Sequence, residues 1–328
     1  MANNAAGHIG RVAAILAKHW RIYEPAVRTD LGVSRNTWRV GQRYWLSQSE
    51  EWRSADLIDR AELVQRLRFF VRDKRLPISV PEAVPCERGR LVVTDGGYGW
   101  CLTHHLEGFH PDSNDPYIYT VITEGLARFH LELRLFSDHL PAAVPDGICA
   151  RARQSLERLE LATFIPFTNH PREKELLVRA GVWLLPRLGR FELLPRQLIH
   201  GDWTPRNLLL HSSDHGAHVT AVLDFESMAN DPVHVDLAST CSTLLMWAGL
   251  DRTVERITDV LSTYERLGGT RVEREDIYTA MLAHWLCHYW SWRDRLERGG
   301  FGEDVKERLC LRIATVLDFV CGGEVDSP

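Results

Sequence analysis

Apolar positions recur at helical spacing over residues 8–22, through Ile9, Val12, Ala13, Leu16 and Trp20. They do so again over residues 54–73, through Leu57, Ala61, Val64, Leu67 and Val71. Between these stretches, from Thr37 to Leu46, aromatic and β-branched residues flank Gly41 and Gln42, which predicts two strands joined by a tight turn. Pro77, Pro81 and Pro85 close the second helix and lead to a strand around Leu91–Thr94. Gly96, Gly97 and Gly99 then mark a turn before a short strand at Trp100–Thr103.

The remainder is helical in pattern. Asp115 and Pro116 supply a cap and first turn, after which Ile118, Ile122, Leu126, Phe129 and Leu133 line one face. Further helices are predicted over 149–161, 171–187, 233–248, 252–267, 273–297 and 303–320. Two short apolar runs flanked by polar turns, Gln197–His200 and Val219–Phe225, read as strands. The pattern therefore predicts an α+β chain with a small β-containing segment, residues 1–103, and a larger, mainly helical one, residues 104–328.

Composition narrows the function classes. The 328 residues are 45% hydrophobic and 25% charged, an ordinary globular balance with enough length for substantial cores. A formal net charge of −5 gives no general attraction to nucleic acid or to an anionic membrane. No apolar run reaches the roughly 18 residues of a membrane span, and the first nine residues lack the charged flank and apolar block of a secretory signal. The seven cysteines stand singly, as expected for a reduced, cytoplasmic protein.

The chemistry concentrates in two segments. Leu198-Ile199-His200-Gly201-Asp202-Trp203-Thr204-Pro205-Arg206-Asn207 is followed by Ala221-Val222-Leu223-Asp224-Phe225-Glu226. Phosphoryl transfer requires that a hydroxyl be oriented, that metal ions be held between phosphates and that spreading charge be neutralised. Asp202, at the end of a strand, suits the acceptance of a hydroxyl proton. The amide oxygen of Asn207, five residues on across a tight loop, suits a hard cation, and Asp224 on a neighbouring strand would complete its oxygen shell. Strand alternation would put Val222, Asp224 and Glu226 on one face.

The pattern H-G-D-x-x-x-x-N, then D-F-E, then Asp231-Pro232 and Asp236-Leu237-Ala238, resembles the aminoglycoside phosphotransferase and choline kinase family, relatives of protein kinases. The resemblance implies a bilobal protein-kinase-like fold with a small N-terminal β-sheet lobe and a larger helical C-terminal lobe. It implies ATP or GTP as phosphate donor, magnesium as cofactor, and a small-molecule hydroxyl as acceptor. By the same resemblance Asp202 is the catalytic base, Asn207 and Asp224 bind magnesium, His200 supports the catalytic loop, and Asp236 buttresses it. Residues 32–41, with Ser34 and Asn36, resemble the loop that covers the nucleotide phosphates, and residues 100–108, with Thr103 and His105, resemble the hinge that holds the adenine edge.

One departure stands out. Where the family's next strand ends in a phosphate-gripping Lys or Arg, the alignment puts Ser47, and only four of the 39 basic residues are lysines. A serine hydroxyl is a far weaker phosphate partner than a cation. Three readings stay open: Arg39 or Arg43 takes over, another arginine reaches in, or the site is slow or inactive. A nucleotide-binding pseudokinase with a regulatory or scaffolding role is thus the alternative to an active transferase. A protein kinase is disfavoured, because no D-F-G and no A-P-E follow. For the acceptor, Glu226, Asp231, Asp294 and Glu297 are candidate contacts to a cationic antibiotic or amine. The run Trp285–Trp292 would instead cover a flat, nucleoside-like or macrolide natural product. His284 and His288, one helical turn apart, read as packing rather than as a zinc pair.

Overall fold

The computed structural model describes residues 3–29, 36–50, 54–115, 117–137, 147–164, 171–214, 216–248, 252–297 and 303–322. The chain forms two compact units, one of Met1–Phe109 with Thr220–Glu226 and one of His110–Val219 with Ser227–Pro328.

In the first unit the early apolar stripe becomes α1 (Asn3–Trp20). Arg21 stops it by entering the left-handed region at φ 54. The strands β1 (Ala26–Thr29), β2 (Asn36–Val40), β3 (Tyr44–Glu50), β4 (Val92–Asp95) and β5 (Tyr98–His104) build an antiparallel sheet in the order β1-β2-β3-β5-β4. Gly41 makes the predicted turn at φ 52. Trp38 pairs with Leu46, and Leu46 with Leu102, so these three share a face. Against that face α1 packs Val12, Ile15, Leu16 and Trp20. On the opposite face α2 (Ser54–Lys74) contributes Ala61 to a smaller cluster with Val92 and Cys101. Residues 220–226 belong to this unit because Ser79 bridges Ala221: the Ser79 N–H donates to the Thr220 carbonyl at 2.7 Å, and the Val222 N–H to that of Ser79 at 3.0 Å.

The second unit opens with α3 (Ile118–Ser137), whose predicted apolar face is buried throughout. It continues through α4 (Ile148–Phe164), α5 (Pro171–Glu192), β6 (Gln197–Ile199) and β7 (Leu208–Ser213). β8 (Gly216–Val222), β9 (Ala229–Asp231), α6 (His234–Ala248), α7 (Thr253–Arg266), α8 (Arg274–Glu297) and α9 (Glu303–Gly322) complete the order. α8 is buried along most of its length, from Ile277 to Trp292, and is packed by α4, α5, α6 and α9. Among the described residues no helix is long and apolar enough to cross a membrane, and all seven cysteines are free thiols.

The sequence pattern erred in places. It missed β1 and β9, of four and three residues, and β7, of six, and it ended α5 at residue 187, whereas that helix runs through Pro186 to Glu192. The strand expected over Val219–Phe225 stops at Val222. Asp224 lies at φ 55, and Phe225–Ser227 form a 3-10 helical turn. The alternation that would have put Val222, Asp224 and Glu226 on one face therefore does not hold.

Candidate active site

The chain leaves β6 at Ile199 and turns sharply. Gly201 takes φ 84, and a Cβ there would sit 2.1 Å from the Ser227 carbonyl oxygen, so only glycine fits. The backbone donors of this turn are collected by one carboxylate on the first turn of α6. Asp236 accepts the His200 N–H at 2.9 Å on Oδ2 and the Gly201 N–H at 2.6 Å on Oδ1. Its Oδ2 also meets His130 Nε2 of α3 at 2.9 Å, and His130 Nδ1 meets the Tyr264 hydroxyl of α7 at 2.7 Å. Asp236, His130 and Tyr264 are all buried. Burial, reinforced by the Asp236 charge, raises the Tyr264 phenol, which keeps it neutral. Three helices thus grip one turn of chain through a buried, charge-assisted network.

That turn presents Asp202, which is half-buried. Its own N–H donates to His200 Nδ1 at 3.3 Å, and its carbonyl accepts the Thr204 N–H at 3.0 Å. Trp203 anchors the far side: it is fully buried, its indole N–H donates to the Ile122 carbonyl at 3.0 Å, and its ring lies 5.2 Å from Phe129. Thr240 Oγ1 donates to the Trp203 carbonyl at 3.1 Å. Pro205 starts a 3-10 helical turn that delivers Asn207 back to Asp202. The Asn207 amide nitrogen donates to both the Asp202 carbonyl and Asp202 Oδ2, each at 2.9 Å. With its nitrogen so engaged, the Asn207 amide directs its oxygen elsewhere, as a hard-cation ligand requires. Asp224 belongs to the other unit, two residues beyond the end of β8, in a left-handed conformation that Asp tolerates better than most residues.

The amide oxygen of Asn207 and the carboxylate of Asp224 are each, by type, hard ligands of the kind magnesium takes alongside nucleotide phosphates and water. No group of three His, Cys, Asp or Glu residues with metal-binding geometry occurs among the described residues. His284 and His288 face each other at 4.3 Å inside the fold. Burial drives both below their usual range, with Arg151 and Arg312 adding to the effect, so they are neutral packing groups.

The nucleotide candidates fare unevenly. Ser34 lies outside the described residues. Asn36 pairs with Gln48, and Ser47 with Thr37, so Asn36 and Ser47 lie on opposite faces of the sheet and their side chains do not converge. Asn36 instead accepts from Arg28 and donates to Gln48, while Ser47 Oγ donates to the Cys101 carbonyl at 3.3 Å. Thr103 Oγ1 points to the Trp45 carbonyl at 3.5 Å. The N–H groups of His104 and His105 are taken by the carbonyls of Glu82 and Arg43, and Trp45 Nε1 donates to the His105 ring at 3.0 Å. These two donors are therefore structural rather than ready for an adenine edge. Arg39 holds the carbonyls of Gly41 and Gln42, and Arg43 pairs with Glu24 at 2.7 Å, so each has a role in the hairpin.

The acceptor candidates also divide. Asp231 is fully buried, where its Oδ2 accepts the Ile148 N–H at the start of α4 and burial raises its carboxyl. It holds the start of α4. Asp294 pairs with Arg158 at 3.2 Å, and the side chain of Glu297 lies outside the described residues. Trp292 is buried, Trp285 is half-buried with the Arg312 guanidinium 4.6 Å over its ring, and Glu226 is half-buried in the first unit. Sequence reasoning missed the supporting roles of His130, Trp203, Thr240 and Tyr264, which only folding brings together.

The sequence matches the phosphotransferase enzyme family over residues 28–274. The fold is similar to that of a GDP complex of an aminoglycoside 2'-phosphotransferase, with a TM-score of 0.67 at 15% identity over 97% of this chain and 98% of that one. A microcompartment-associated aminopropanol kinase gives 0.62 at 16% identity over 95% and 98%. An aminoglycoside phosphotransferase from Alicyclobacillus acidocaldarius gives 0.54 at 15% identity over 90% of both chains. No curated protein sequence matches the chain.

Proposed function

The chain belongs to the phosphotransferase enzyme family and is a small-molecule kinase with a protein-kinase-like fold; from that premise we propose that it transfers the γ-phosphate of ATP or GTP to a hydroxyl, with Asp202 as the base. The observation that carries the reading is the buried grip of Asp236 on the His200–Gly201 turn, which presents Asp202 and Asn207 together on a rigid loop. Asp202 accepts the hydroxyl proton as the acceptor oxygen bonds to the γ-phosphorus. The bond from that phosphorus to the β–γ bridging oxygen breaks, and the nucleoside diphosphate leaves. Asn207 orients the Asp202 carboxylate through its amide nitrogen; its amide oxygen, and separately the Asp224 carboxylate, would be the groups offered to magnesium. Magnesium, when bound, neutralises charge on the phosphates.

For the acceptor, the engagement of Asp231 and Asp294 within the fold removes the main support for a polycationic antibiotic. A nucleoside-like natural product fits better, and the free thiols fit a reducing cytoplasm. The test is thermal shift with magnesium and nucleotide, followed by transfer of labelled γ-phosphate to a panel of hydroxyl compounds. Binding together with transfer is expected. Binding without transfer to any compound would favour the pseudokinase alternative, which the ordinary serine at position 47 motivates.

A further inference from the structure

The hairpin of β7 and β8 carries side chains that phosphoryl transfer does not use. The segment His211-Ser212-Ser213-Asp214-His215-Gly216-Ala217-His218 holds three of the protein's 15 histidines in eight residues, a density typical of metal-binding tracts. β7 ends at Ser213 and β8 begins at Gly216, so two residues separate these neighbouring strands, a connection that only antiparallel strands allow. Ser213 then stands opposite Gly216, and its hydroxyl donates to the Gly216 carbonyl at 3.1 Å. Counting back two residues along each strand sets His211 opposite His218 on one face. Their rings do meet there, with centres 6.1 Å apart and planes at 70°. Both residues are exposed, and neither ring has a hydrogen-bond or ion-pair partner among the described residues. His215 lies outside the described residues, and the other two define the pair.

Imidazole nitrogen is the ligand that late first-row cations favour, whereas magnesium prefers oxygen. Two imidazoles sharing one zinc ion, each bound at about 2.0–2.1 Å with a tetrahedral angle, have ring centres about 5 Å apart. The pair reaches that spacing from 6.1 Å by small rotations of two exposed side chains. We propose that His211 and His218 form a binding site for a late first-row divalent cation of the zinc class, with water in its remaining positions. Its nitrogen ligands set it apart from the magnesium of the transferase reading, on which it does not depend. β7 starts directly after Asn207, and β8 ends two residues before Asp224. The ion would staple the two strands that connect these residues along the chain and hold the hairpin closed.

Calorimetric titration of zinc chloride into the full-length protein tests this, with magnesium in excess to fill sites built from oxygen ligands. Saturable zinc binding is expected. His211→Ala and His218→Ala should each weaken it by about 10-fold or more, since even a partner behind a metal ligand is worth about 10–100-fold. The double variant should lose the site, while His110→Ala, at another exposed histidine, should leave the affinity unchanged. Both hairpin positions are exposed, so alanine there leaves the fold intact. Zinc should also raise the midpoint of thermal unfolding of the wild type more than that of the double variant, because an ion held by the folded state stabilises it. Zinc binding that survives the double substitution, that magnesium displaces, or that is absent from the wild type would overturn the proposal.

Discussion

Asp236 carries more of the site's architecture than any other single side chain described. It satisfies two backbone donors and a histidine in a region closed to water, where each lost partner leaves a group costing about 1–3 kcal/mol. Asp236→Ala should therefore lower the unfolding free energy by about 3 kcal/mol or more by denaturant titration; a loss below about 0.5 kcal/mol would mean that the network is not as drawn. A second residue makes stability depend on pH. Burial and then Arg190 push His234 down to about 4, so the folded state resists a proton that the unfolded chain takes below about 6.5. The sign follows: the folded state is undisturbed above pH 6.5, and stability falls as the pH drops from there towards 4. His234→Gln should flatten that limb, the difference growing by up to about 1.4 kcal/mol per pH unit; parallel pH profiles of wild type and variant would refute it. At this scale Asp202, Asn207 and Asp236 were legible because their order and spacing along the chain are themselves a pattern. His130 and Tyr264 were not, since 134 residues separate them and neither belongs to a local motif.

Elements were legible where burial has a single period. The face of α3 from Ile118 to Leu133 is buried as its spacing implied. Short strands such as β9, three residues long, have too few positions to show a period. The reading of residues 219–226 as one strand failed because φ at Asp224 is a backbone property that no alternation reports. Packing between elements leaves its own mark at Gly125 of α3, where a Cβ would meet Val219 Cγ2 of β8 at 2.5 Å. Alanine normally stabilises a helix interior relative to glycine by about 1 kcal/mol. Here Gly125→Ala should instead destabilise by roughly 1–3 kcal/mol, through overpacking. Val219→Ala in the same chain should recover part of that loss. Additive effects in the double mutant would show that the two do not touch.

For the whole molecule, class and reaction type were visible before any coordinates, while the acceptor's chemistry was not. Acidic residues on predicted helices looked available to a cation until tertiary partners appeared, Ile148 for Asp231 and Arg158 for Asp294. A fold of this kind hosts many acceptors, so function here rests on the loop and not on the architecture. The most direct test is single-turnover transfer of γ-phosphate by wild type and by Asp202→Ala, with nucleotide binding measured in parallel. Transfer should fall by about 10²-fold or more while nucleotide affinity is kept. Undiminished transfer by the variant, with nucleotide bound as in wild type, would show that Asp202 is not the base.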